Sequence, residues 1–417
     1  MPRLYLIRIF LLFIATNAFS QVEKEIVPPY NIRTVALVQN GQNIVPIIRL
    51  GDPFQLEFDD LFGNEANYYY TITHCDYDWR PSQLVKSEYL QGFDDIRIQT
   101  YTNSFNTLQI YSHYFLALPN KNTSLLVSGN YVIKILNEDK EVVFSRKFIM
   151  YEDLVSVPMQ VKRTRTVSAI NFKQNLDFAI KSPNILFQSP LKNVKVLLLK
   201  NGQLSTAITN VPAMYTIGND LIYKYDTETQ FWGGNEYHYF ENKDIRAANN
   251  NIGRVQSTGG LYSSLLYSNN ARAGQPYTFY PDINGNFVVK NLNSQNDNIE
   301  ADYAWVYFTL SAPAYYGKSD IYVTGMFNNY ALTPEFKMDY NKEKGVYEKA
   351  IMIKQGFTNY QYTTADKSGK IDEANAIDGN FYQTENNYFA LVYYRENNQR
   401  YDRVIGKGVA SSVDIIN

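Results

Sequence analysis

The sequence has a single cysteine, Cys75, so no internal disulfide can form and a disulfide-stapled scaffold is excluded. Tryptophan and histidine are scarce, with 3 residues each. There is no Gly-x-Ser-x-Gly elbow, no His-Glu-x-x-His pair and no phosphate-cradling glycine loop. These absences leave no complete catalytic set and point to no cofactor. Charge of one sign is also missing, with 39 basic residues against 41 acidic ones and no basic block. A nucleic-acid footprint is therefore not expected. Beyond the first twenty residues no apolar run is long enough to span a bilayer as a helix, which needs about 20 residues.

The first twenty residues read as a cleavable secretory leader. Arg3 and Arg8 make the start basic, Ile9–Ala15 is almost wholly apolar, and Ala18-Phe19-Ser20 is a small-x-small cleavage site before Gln21. Removing residues 1–20 leaves 397 residues, more than one hydrophobic core usually serves.

Aromatic residues make up 15% of the chain, and 36 residues are tyrosine. Tyrosine suits half-buried β faces and protein interfaces, because its large ring still carries a hydroxyl. Strand-like runs dominate. Arg33–Val38 is followed by the turn pair Asn40-Gly41, and Phe54, Leu56 and Phe58 alternate onto one face. Pro46 places the run Ile44–Leu50 at a sheet edge or a strand start, since it cannot donate a ladder hydrogen bond. Tyr131–Leu136 and Val142–Phe148 flank Asn137–Lys140 as a hairpin. Val194–Lys200 precedes Asn201-Gly202, and Ser168–Phe172 is a candidate opening strand for the same unit. Tyr303–Leu310, Ile321–Thr324, Val346–Ile353 and Tyr388–Tyr394 complete the set. The pattern predicts an all-β chain of tandem immunoglobulin-like β-sandwich domains. The expected units are an N-terminal sandwich over 21–155, a middle β domain with long loops over 156–311, and a C-terminal immunoglobulin-like domain over 312–417.

The densest polar constellation is His74-Cys75-Asp76-Tyr77-Asp78-Trp79. As one unbroken strand it puts His74, Asp76 and Asp78 on one face and Cys75, Tyr77 and Trp79 on the other. The polar face is an incomplete metal set without a second nearby histidine, and is better suited to loop or partner hydrogen bonds. Cys75 reads as a small buried thiol, because His74 points away from it on a strand. Asp59-Asp60 reads as solvated surface charge.

Residues 323–330, 345–347 and 356–362 resemble early-set immunoglobulin-like sandwiches related to glycogen-binding modules, with Tyr330 at a usual aromatic position. No tryptophan stands in the 340s or 350s, where that family has a second sugar platform. This departure argues against carbohydrate recognition.

A wider resemblance covers nearly the whole mature length. Phe58–Leu61, Thr73–Ser82, Glu88–Phe93 with Tyr89, Gly92 and Phe93, Ser104–Thr107, Tyr111–Tyr114 and Ser128–Tyr131 match in order. Trp232-Gly233-Gly234-Asn235-Glu236 and Arg400–Gly406 continue the pattern. Together they resemble the plug protein of the Bacteroidota type 9 secretion system. The resemblance implies a non-enzymatic periplasmic protein, peripherally associated with the outer membrane. Its partner would be the outer-membrane secretion barrel, held shut when no cargo is engaged. It leaves open whether the matching residues serve the fold or the partner. A periplasmic carbohydrate-binding protein is the alternative.

Overall fold

The computed structural model describes residues 21–415, so the expected leader lies outside the described residues. Three β-sandwiches, each with its own apolar core, account for the described chain.

The first sandwich has two five-stranded sheets. One runs in the order 42–43, 32–39, 54–60, 112–118, 101–103, and the other in the order 47–49, 142–151, 129–136, 69–75, 96–97. The alternation of Phe54, Leu56 and Phe58 does what period two requires, sending all three side chains into the core. Ile47–Arg49 follows Pro46 directly and pairs only on one side, with 149–151, as an edge strand. The hairpin of 129–136 and 142–151 turns through Asn137–Lys140.

The second sandwich is made of sequence-distant pieces. One sheet holds 159–163, 173–180, 220–223 and 215–217, with 230–232 also pairing 173–180. The facing sheet has the order 208–209, 194–200, 387–394, 403–411. Val194–Lys200 therefore pairs along its whole length with Tyr388–Tyr394, nearly two hundred residues on. Ser168–Phe172, expected to open this unit as a strand, is a turn, and Met159–Arg163 opens it instead.

The third sandwich is inserted between residue 232 and residue 387. It holds 238–241, 356–365, 287–289 and 320–324 in one layer, and 252–258, 261–266, 303–311, 346–354 and 339–341 in the other. This corrects the expected division of 156–311 from 312–417. Tyr303–Ser311 pairs with Val346–Lys354, so a boundary at 311 would cut a sheet. The last two strands belong to the second sandwich, not to the third. The reason is visible in the two runs that meet there. Val196, Leu198, Ala390 and Val392 fill the second core, while Leu197, Leu199, Leu391 and Tyr393 fill a separate core against the first sandwich. Strands buried on both faces need partners on both, and each supplies the other's ladder.

Tyrosine is mostly spent on cores. Among the described residues, ten of the twelve largest fully buried side chains are tyrosines, so composition reports interior packing more than surface.

Candidate functional site

The conspicuous residues of the sequence converge on the three joints between the sandwiches. The His74–Trp79 block builds the joint between the first and second. It is not one unbroken strand: Tyr69–Cys75 ends at the cysteine, and 76–79 form a turn in which Trp79 has φ 64. The expected sharing of one face by His74, Asp76 and Asp78 is therefore corrected. The polar residues of the turn are drawn off the strand by partners on the second sandwich. Arg395 donates to Asp76 Oδ1 at 2.8 Å and to Asp402 Oδ1 at 2.9 Å. The Asp402 amide donates to Asp76 Oδ1 at 3.1 Å, and the Tyr77 amide donates to Asp402 Oδ2 at 3.0 Å. Tyr77 Oη donates to the Val196 carbonyl and accepts from the Asn210 amide. Its ring meets Tyr393 edge-on, with centroids 4.9 Å apart. Tyr393 Oη in turn donates to Asn130 Oδ1 at 2.7 Å. Asp78 stays exposed, paired with Arg80. Trp79 lies under the Lys147 ammonium, 4.3 Å from the ring centroid.

His74 is buried among the rings of Tyr89, Tyr131 and Tyr401. Its Nε2–H donates to the Ser128 carbonyl at 3.2 Å and its Nδ1 accepts from Ser82 Oγ at 2.7 Å. Burial pushes its pKa down to about 4, so the imidazole is neutral at physiological pH. The ring has space only because residue 129 is glycine; a Cβ there would stand 2.1 Å from His74 Nε2. Cys75 is fully buried and burial pushes its thiol up to about 12. The other histidines are engaged elsewhere, His113 with Asp59 and His238 with Asp378. No thiolate–imidazole pair exists among the described residues, nor any group of three or more His, Cys, Asp or Glu placed to hold a metal. Tyr89 donates to the Ile72 carbonyl, Gly92 pairs with Thr123 in a short ladder, and Phe93 is 75% exposed.

The joint between the first and third sandwiches centres on Asp59. Both Asp59 and Asp60 are fully buried, which corrects their reading as solvated charge. They lie on the strand Phe54–Asp60 and face opposite ways, so each finds its own donors. Asp60 accepts from Asn31 Nδ2 at 2.8 Å and Tyr68 Oη at 2.9 Å. Asp59 accepts from His113 Nδ1 at 2.7 Å, Tyr303 Oη at 2.6 Å and Lys354 Nζ at 2.6 Å. Burial raises its carboxyl pKa, but the Lys354 ammonium and His113 outweigh that and hold it below the usual carboxylate range. Lys354 also donates to the Asn298 carbonyl and sits 4.2 Å from the Tyr111 ring centroid. Nearby, Asp302 of the third sandwich accepts from the Leu108 and Gln109 amides of the first.

Trp232-Gly233-Gly234-Asn235 is the crossover from the second sandwich into the third. It is laced to the return crossover at 378–386. Asn386 Nδ2 donates to the Gly233 carbonyl at 2.8 Å, the Gly234 amide donates to Asn380 Oδ1 at 3.0 Å, and Asn235 Nδ2 donates to the Asp378 carbonyl at 2.8 Å. A Cβ on residue 233 would stand 2.0 Å from the Phe381 carbonyl oxygen, so the two crossovers can touch only at a glycine. Lys173 lies over the Trp232 ring, and Lys200 donates to the Trp232 carbonyl. Glu236, next in the chain, is buried, and its Oε1 accepts from Tyr277 Oη and the Glu385 amide.

Nothing in the sequence marks Lys354, Tyr303, Arg395 or Glu385 as a joint residue. Their only signal is charge or hydroxyl at the end of a strongly apolar strand, which does not name a partner. Tyr330 does not offer an open sugar platform. It is half-buried, with its hydroxyl 3.3 Å from that of Tyr237.

Residues 32–152, which span the first sandwich, match the type 9 secretion system plug protein 1st domain. The crystal structure of a hypothetical protein from Parabacteroides merdae ATCC 43184 superposes with a TM-score of 0.88 at 30% identity. That match covers 93% of this chain and 98% of the other. No curated protein matches. The conspicuous polar residues serve joints between sandwiches, and the chain belongs to the type 9 secretion system plug protein family.

Proposed function

We propose that the protein is a periplasmic plug subunit that docks on the periplasmic opening of the outer-membrane type 9 secretion barrel and closes it when no cargo is engaged. The observation that carries this reading is the locking of three sandwiches through buried polar joints. A wide pore needs an obstruction that does not deform, and joints made of buried ion pairs and crossed linkers resist hinge motion. Among the described residues no helix is long and apolar enough to cross a membrane. The first sandwich, where the family match lies, exposes Phe62, Phe105 and Ile110 on adjoining loops. Aromatic side chains of this kind anchor protein interfaces. Affinity purification of the tagged mature protein from solubilised membranes is expected to bring down the secretion barrel at near-stoichiometric levels. A clean purification without the barrel sinks the proposal.

A further inference from the structure

A cavity of about 120 Å³ lies where the three sandwiches meet. Leu37 and Val45 line it from the first, Leu204 from the second, and Phe287 and Met326 from the third. Into this largely apolar space, which Glu25 and Lys147 also line, opens one guanidinium, that of Arg146, a residue only 8% exposed. It belongs to the core-facing register of its strand, between Phe144 and Phe148. Its Nη1 donates to the Ser145 carbonyl at 3.0 Å. Among the described residues, Nε and Nη2 meet no acceptor, and no carboxylate lies within ion-pair distance. Glu25, whose charge does reach Arg146, spends its oxygens on the Lys147 amide at 2.8 Å and on Asn329 Nδ2 at 3.0 Å.

An arginine cannot shed its proton, and these free donors face the cavity rather than closed protein interior. The remaining donors form one side of the fork that carboxylates fill with two parallel hydrogen bonds. The cavity is smaller than one that accepts benzene, about 150 Å³, so the body it takes has only a few carbons. We propose that this junction cavity binds a small organic carboxylate, its carboxylate on Arg146 and a compact apolar body against Leu37, Val45, Leu204 and Phe287. Such a ligand touches all three sandwiches, so it stabilises their joint arrangement by mass action. This inference does not depend on docking to the barrel.

The test is calorimetric titration and thermal unfolding of the mature protein with isobutyrate, using isobutyramide and inorganic phosphate as comparisons. Isobutyrate is expected to bind and raise Tm, with isobutyramide and phosphate at least about tenfold weaker, as loss of a charge-assisted hydrogen bond requires. Arg146→Met should weaken isobutyrate by a similar factor. Glu25→Gln, which removes a competing negative charge, should tighten it, and this variant decides the matter if Arg146→Met does not fold. Absence of isobutyrate binding at millimolar concentration overturns the proposal. So does equal binding of isobutyramide or phosphate, or isobutyrate affinity unmoved by Glu25→Gln.

Discussion

Asp59→Ala is expected to destabilise the protein by about 3–5 kcal/mol, the usual effect of removing one partner from a buried ion pair. The substitution strips three donors of their acceptor at once: His113 Nδ1, Tyr303 Oη and Lys354 Nζ. Lys354 is the worst affected, since it is buried and burial already lowers its pKa. Its remaining contacts, the Asn298 carbonyl and the Tyr111 ring, do not replace a carboxylate. The double variant Asp59→Asn with Lys354→Met should recover most of the loss, because it removes both charges and keeps an acceptor for Tyr303. Denaturant unfolding of wild type, the single variant and the double variant checks this. A single-variant loss below about 1 kcal/mol, the level of an exposed pair, would contradict the geometry. Because three sandwiches are present, transitions should be followed by more than one probe.

The second large effect is pH dependence at the crossed linkers. Glu236 is buried, and burial first of all pushes its carboxyl up to about 7 from an ordinary 4.5. Its Oε2 has no partner among the described residues, which suits a protonated acid and not a carboxylate. Between pH 4.5 and 7 the folded chain holds a proton here that the unfolded chain has lost. Stability from this group is therefore full below pH 4.5 and is lost as pH rises through about 7. Glu236→Gln imitates the protonated acid. It should be more stable than wild type at pH 8 by about 2–4 kcal/mol, with the difference vanishing toward pH 5. His74 gives the opposite slope, since its pKa is lowered to about 4 and its contribution is lost as pH falls toward that value. That slope is common to both proteins and cancels in the comparison. A variant less stable than wild type at pH 8 would show that the carboxylate is paired after all.

Much of the local structure was legible in the residues. Alternation marked Phe54–Phe58, turn pairs marked Asn40-Gly41 and Asn201-Gly202, and Pro46 marked an edge. The insertion was not. Val194–Lys200 and Tyr388–Tyr394 are apolar on successive positions, a sign of burial on both faces that says nothing about which strands supply it. Read alone, each run belongs to whichever unit surrounds it in sequence. The polar residues failed for a related reason. Asp59 looked solvated because its partners Tyr303 and Lys354 stand in another sandwich, and Asp76 left its strand because Arg395 and Asp402 hold it. The His74–Trp79 and Trp232–Asn235 blocks stand out in the sequence. Their chemistry is that of docking one sandwich on another, with Gly129 and Gly233 spaced for close approach.

The most direct test of plugging is conductance. The purified secretion barrel, stripped of its plug, is placed in a planar bilayer, and the mature protein is added to the periplasmic side. Closure is the predicted result: conductance falls in step with the fraction of barrels bound and returns when the protein is washed away. Barrels that bind the protein and conduct as before would contradict the account.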